Sequence, residues 1–269
     1  MSNSLDTFTL ADMFPDMPNA FTDDYVKAQV AWYGAPKELE HVGNTKVHII
    51  NRALMGRVDD YLNVQFRIDE DMVVPIFTID GATWMSLTPM EIQSAALPIY
   101  QAWGSVATSG LGMGYFALQA ARNDKVDFVD VYERDAAVIE VFDKLHGSRW
   151  EYEKINIIHG DVRELMMNKE YDFVFMDTYK SMLDEEALTD IALFNDNNDI
   201  EEYCFWGQEK LMLEAWQQGL ITVGHLPYAV RYFIWMWSES EGARLKGTGG
   251  PDEEYLEQGI LAMTEYGIM

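Results

Sequence analysis

Positive charge is what this chain has least of: 19 Lys and Arg stand against 45 Asp and Glu, a formal net charge of −26 over 269 residues. A field of that sign repels phosphate backbones and anionic lipid surfaces unless a basic patch reverses it locally. No Lys/Arg cluster of that kind is visible, so nucleic acid is disfavoured as a partner. Cysteine is almost missing. Cys204 stands alone, which excludes an internal disulfide and a cysteine-built metal centre and leaves core packing as its ordinary role. The histidines, His41, His48, His146, His159 and His225, lack the close spacing of metal ligands. Long apolar runs are also lacking: 228–237 is interrupted and far too short to span a membrane. The opening MSNSLDTFTLADMFPD has acids where a secretory signal needs a basic start and an apolar run, so a soluble, cytoplasmic protein with no membrane partner is expected.

What is present is enough apolar material for a sizeable core, 48% of residues with eight tryptophans. Hydrophobic spacing predicts a helix over 23–33, stopped by Gly34-Ala35-Pro36. Residues 64–79 read as a β-hairpin, VQFRI and MVVPIFTI around a turn at DED, with Pro75 placing the second strand at a free edge or a bulge. Thr88-Pro89-Met90-Glu91 is a helix start in which Thr88 caps, Pro89 fits the first turn and Glu91 reaches back to the cap. That helix is expected to run to about residue 103, kinked or cut short by Pro98.

Strands at 105–108, 126–132, 155–159 and 172–176 then alternate with helices at 115–122, 136–146 and from Val162. This alternation predicts an α/β fold whose mostly parallel sheet is covered by helices, with the strand ends on one ligand-binding edge. Two regions follow: 1–80, an extension with a helix and a small hairpin, and 81–269, the α/β domain. Within the second, the acidic, Asn-rich stretch 184–202 reads as a mobile insertion with one short helix. Further on, a helix over 206–218, a strand over 220–224, an aromatic helix over 229–237, a loop at 246–251 and a terminal helix over 253–263 are expected. An exposed part of that aromatic stripe would make the protein a homo-oligomer.

One stretch points to a chemistry: Thr108-Ser109-Gly110-Leu111-Gly112-Met113-Gly114, followed by Val129-Asp130-Val131-Tyr132-Glu133 and His159-Gly160-Asp161. Closely spaced glycines let the backbone reverse sharply and approach a ligand. Glu133, ending a strand, offers two acceptor oxygens to the two hydroxyls of a ribose. A dinucleotide fingerprint would be GxGxxG, and Tyr115 stands where its last glycine belongs. A nicotinamide or flavin site and a purely structural turn remain open, as do helix-capping roles for Glu133 and Asp161.

With Asp177, these residues resemble the class I methyltransferases that use S-adenosyl-L-methionine, and their structural relatives the polyamine synthases, over roughly residues 80 to 180. The resemblance implies a Rossmann-like methyltransferase fold with S-adenosyl-L-methionine as cofactor. Its binding set is then Thr108, Gly110, Gly112, Met113, Gly114, Glu133, Arg134, Asp161, Val162 and Asp177. Glu133 would take the ribose and Asp161 the adenine amino group, with the Val162 N–H facing a ring nitrogen. Asp177 and Tyr179 are the catalytic candidates, the first near the sulfonium or as a base, the second as a donor to the acceptor. Ile79-Asp80-Gly81 before Trp84 resembles the strand-turn that precedes the catalytic part of polyamine synthases.

The chain departs from these patterns in places. Thr108 stands where methyltransferases carry an acid. Trp84 and Pro89-Met90 replace a Gln and an Asp-Glu pair of polyamine synthases, and Asp177-Thr-Tyr-Lys180 does not continue into Asp-Pro-x-Gly-Pro. Three functions follow: methyl transfer to a neutral or cationic small molecule or protein side chain, polyamine synthesis, and a non-catalytic acidic protein that binds or mimics a partner.

Overall fold

The computed structural model describes residues 18, 20, 22–34, 40–41, 47–59, 65–179 and 185–207. His225 and all elements expected beyond residue 207 lie outside the described residues.

The first element among the described residues is helix α1 (Asp23–Tyr33), capped where Tyr25 N–H donates to Thr22 Oγ1 at 3.3 Å and closed where Gly34 N–H donates to Val30 O. An antiparallel sheet follows, β1 (Glu40–His41), β2 (Val47–Asp59), β3 (Gln65–Ile79) and β4 (Ala82–Ser86), in that spatial order. The predicted hairpin within 64–79 is therefore wrong: β3 is one continuous strand paired along β2. The acidic stretch read as its turn falls at a register shift, where Leu54 faces Met72 but Gly56 already faces Ile68. A long partner strand turns a local bend into a bulge, because the flanking ladder bonds outweigh local turn preference. The true tight turn is Asp80-Gly81, both with positive φ, 53° and 79°, as a two-residue hairpin requires. Pro75 pairs with Asn51 of β2 and has no β4 partner, so its side of β3 is free of a ladder there, as expected. It lies just past the last β3–β4 pair, Ile76 with Ser86, and its carbonyl accepts Leu87 N–H at 3.0 Å.

Helix α2 (Pro89–Gln101) takes proline in its first turn and continues three residues past Pro98. The expected capping arrangement is absent: Thr88 makes no side-chain cap bond, and its hydroxyl meets Ser86 Oγ at 3.4 Å. Glu91 is thus left to point elsewhere.

Five parallel strands form the second sheet: β5 (Gly104–Ser109), β6 (Val126–Glu133), β7 (Ile155–His159), β8 (Glu170–Met176) and β9 (Asp199–Phe205), ordered β7-β6-β5-β8-β9. Helices α3 (Tyr115–Arg122), α4 (Ala136–His146), α5 (Val162–Leu165) and α6 (Glu185–Asn197) connect the strands. This is an α/β, Rossmann-like arrangement. The order reverses direction between β5 and β8, and there the connections leave to opposite sides and open a crevice at the strands' carboxyl ends.

The reading of 184–202 as a mobile insertion is also overturned. It supplies the one expected helix, α6, and most of β9, an integral part of the sheet, with Phe194 and Ile200 fully buried. Its acidic residues obscured a sparse apolar set that needs β8 beside it to be recognised. A single core unites α1, β3 and the parallel sheet through Val26, Val30, Val74, Phe116, Val129 and Phe175. Among the described residues no helix is long and apolar enough to cross a membrane, and no cluster of His, Cys, Asp and Glu is placed to hold a metal ion.

Candidate functional site

A cleft of about 570 Å³ opens at the carboxyl ends of β5, β6, β7 and β8, walled on one side by β3, β4 and α2. Its floor is the glycine loop. Gly110 has φ 83°, and a Cβ there would lie 2.7 Å from the Asp177 carbonyl oxygen, so the ends of β5 and β8 approach this closely only because the side chain is missing. Gly110 N–H donates to Tyr132 O at 2.9 Å, Leu111 N–H to Glu133 Oε2 at 2.9 Å, and Gly114 N–H to Leu111 O at 2.7 Å. Met113 N–H meets only a weak acceptor, Met85 Sδ at 3.4 Å. The N–H of Gly112, which lines the cleft, has no partner among the described residues.

The structure brings most of the expected site residues to this cleft: Thr108, Gly110, Gly112, Glu133, Arg134, Asp161, Val162, Asp177 and Tyr179 all line it. Met113 and Gly114 do not. Met113 is buried in the core, and Gly114 lies against the Phe142 ring. Thr108 is buried as well, at 3% exposure.

Glu133 is held at both oxygens, since Oε1 accepts Asp135 N–H at 2.8 Å. Each oxygen keeps a second lone pair, so a diol would add to these bonds rather than replace them. Asp161 caps α5 by accepting Arg163 N–H at 2.9 Å, and Asp135 caps α4 by accepting Ala137 N–H at 2.8 Å. Tyr179 donates to Asp190 Oδ2 at 3.1 Å, and burial together with that carboxylate raises its pKa.

Among the described residues, six carboxylates and two guanidinium groups line the cleft. Four of the acids have partners: Glu133, Asp135 and Asp161 on backbone N–H groups, and Glu186 beside Arg163 at 3.5 Å. The other two, Glu91 and Asp177, have none among the described residues. Both are half-buried. Desolvation, followed by the negative charge of Asp177, pushes the Glu91 carboxyl up to about 8, and desolvation pushes Asp177 up to about 7. Near neutral pH this pair therefore carries less than its full charge. Of the arginines, Arg163 is committed to Asp190, while the Arg134 side chain has no partner among the described residues.

No family model and no curated protein sequence matches the chain. Parts of the chain are similar in structure to solved spermidine synthases and methyltransferases. Spermidine synthase from Thermotoga maritima is 18% identical with a TM-score of 0.39, over 62% of this chain and 54% of that one. TrmK from M. capricolum, solved with S-adenosyl-homocysteine, is 16% identical with a TM-score of 0.36, over 46% of this chain and 57% of that one. Thermoplasma acidophilum 1320 is 21% identical with a TM-score of 0.32, over 46% and 66%. The chain thus spans about half the length of the spermidine synthase it matches.

Sequence reasoning missed Glu91, which it assigned to a capping box. No local signal separates the two roles, because an acid at this helical position suits either. Trp206, read as the first residue of a helix, lines the cleft as well. Its indole N–H donates to Ser94 Oγ at 3.0 Å, Ser94 Oγ donates to Glu91 O at 2.9 Å, and so the end of β9 ties to the turn that carries Glu91. The indole of Trp84 lines the same cleft with nearly half its surface exposed, 48%.

Proposed function

We propose that the cleft binds S-adenosyl-L-methionine and moves its methyl group to a nitrogen of a small molecule or protein side chain. The carrying observation is the division among the six cleft carboxylates: four are spent on the fold, and the two left open, Glu91 and Asp177, face a space large enough for a nucleoside and an acceptor. Carboxylates left without partners in such a place favour a cationic ligand, here both the sulfonium of the donor and an amine.

The residues present fit the donor. Gly112 offers a free N–H, Glu133 the outer lone pairs for the ribose hydroxyls, and Asp161 with the Val162 N–H a hydrogen-bonding edge for adenine. When bound, the donor supplies an electrophilic methyl on a positively charged sulfur. The protein's part is placement and proton handling. Asp177 and Glu91 hold the acceptor nitrogen, and whichever of them is ionised takes its proton as the nitrogen–carbon bond forms and the sulfur–carbon bond breaks. Carboxyl groups whose pKa values lie near neutrality suit this role better than ordinary ones. Tyr179, held by Asp190, orients the rim beside them.

A second reading, aminopropyl transfer to a polyamine, is favoured by one observation. The open acids Glu91 and Asp177 suit a polycationic acceptor, and with Arg163 locked on Asp190 the described residues leave one cleft guanidinium, Arg134, for the carboxylate of a methionine tail, a group that a decarboxylated donor lacks. Calorimetric titration with S-adenosyl-L-methionine and its decarboxylated form, followed by turnover with amine acceptors including putrescine, separates the readings. Methylated product supports the first and spermidine the second. Binding of neither donor removes both and leaves a non-catalytic acidic protein.

A further inference from the structure

The hydroxyl of Tyr33, the last residue of α1, crosses the core to the glycine loop, donating to Met113 O at 2.9 Å and lying 3.1 Å from His146 Nε2. Tyr33, Met113 and His146 are all buried, at 3%, 2% and 3% exposure. A phenol has one proton. With that proton on Met113 O, the imidazole must donate, which fixes His146 as the Nε2–H tautomer. Burial and the nearby Arg149 lower its pKa to about 4, so it stays neutral at neutral pH. The chain His146, Tyr33, Met113 O is therefore fully satisfied in one direction.

The same peptide is held from its other end, because Gly114 N–H donates to Leu111 O at 2.7 Å. The bond between Met113 and Gly114 is thus pinned at both its carbonyl and its N–H, closing a turn with Gly112 and Met113 at its centre. The sulfur of Met85 beside Met113 N–H is too weak an acceptor to do this alone. In that turn the Gly112 N–H is left without a partner among the described residues, at the cleft lining. Resting on the donor-binding reading above, we propose that Tyr33 is a positioning residue: by holding the Met113 carbonyl it fixes the turn that keeps the Gly112 N–H open for the donor. The N-terminal helix, which reaches the cleft lining through Tyr115 but has none of its own described residues in it, is then a component of the donor site.

The test uses the full chain, S-adenosyl-homocysteine as probe, and the variants Tyr33→Phe and Trp32→Leu. The control sits one residue away on α1, where Trp32 lies between the Arg122 and Arg149 guanidinium groups at 4.5 and 4.4 Å and meets the Tyr115 ring edge-on at 6.5 Å, with no hydrogen bond to the loop among the described residues. Tyr33→Phe is expected to weaken binding about five- to tenfold, the value of one buried hydrogen bond, and to shift the Gly112 and Gly114 amide NMR signals. Trp32→Leu is expected to lower the unfolding midpoint at least as much while changing the affinity by no more than about twofold. Equal affinity for Tyr33→Phe and the parent, or an equal loss in both variants, overturns the proposal. If the parent chain does not bind the probe, the donor reading itself fails. The amide signals then judge Tyr33 alone, and unmoved Gly112 and Gly114 resonances overturn its role in the loop.

Discussion

Arg163 grips Asp190 with two parallel hydrogen bonds, Nε to Oδ1 at 2.7 Å and one terminal nitrogen to Oδ2 at 2.8 Å. The pair joins α5 to α6, and Tyr179 donates to the same Oδ2, so one nearly buried carboxylate ties together the rim of the cleft. Asp190→Asn keeps the shape and removes the charge. Because Arg163 is 41% exposed, water recovers part of what is lost, and the expected destabilisation is about 1–2 kcal/mol in chemical denaturation. A stability equal to that of the parent would show that the fork contributes nothing to the fold.

Glu133 carries two backbone donors as well as its proposed ribose contact. Glu133→Ala leaves the N–H groups of Leu111 and Asp135 without acceptors and is expected to weaken donor binding by at least about tenfold, with the loop loosened. Calorimetry with S-adenosyl-L-methionine reads the affinity. An unchanged dissociation constant would take Glu133 out of the site.

The two open carboxyls give a pH signature with a definite sign. Glu91 rises from 4.5 to about 8 and Asp177 from 3.8 to about 7, so the folded state holds protons that the unfolded chain releases. The stability they contribute is complete below about pH 4 and is lost as pH climbs through about 7 to 8. The unfolding midpoint of the ligand-free protein should therefore fall across that window, and Glu91→Gln should flatten the fall. Turnover should move the other way, rising over the same window as the pair becomes able to accept a proton. A variant whose midpoint follows the parent's pH profile would contradict the assignment.

Gly110→Ala would place a Cβ 2.7 Å from the Asp177 carbonyl oxygen at a φ of 83°. The neighbour is backbone and cannot swing aside. A loss of about 2–3 kcal/mol in thermal or chemical unfolding is expected, together with loss of donor binding. Retained stability would mean that the ends of β5 and β8 are not held as close as found.

The alternation of strand and helix from 104 to 176 was legible because each element signals itself locally. α3, α4 and β7 fall where spacing places them, and Gly34 and Asp135 terminate and start helices through contacts only a few residues apart. The glycine loop was legible for the same reason. β2, the bulge at the acidic stretch of β3, and the α6–β9 unit were not, since each is defined by a partner strand distant in sequence.

Residue order alone, then, determined the parallel α/β core, the reversal at Gly110 and the acid at the end of β6, all of which follow from short-range backbone geometry and the period of apolar side chains. Only the tertiary structure decided which acids stay open. Glu91 and Asp177 stand 86 positions apart and share one cleft because α2 walls the crevice at the end of β8, and Tyr33 reaches Met113 across 80 positions because α1 docks on the same core. Desolvation and hydrogen-bond partnership depend on everything that surrounds a group in space, and a linear pattern does not contain that information.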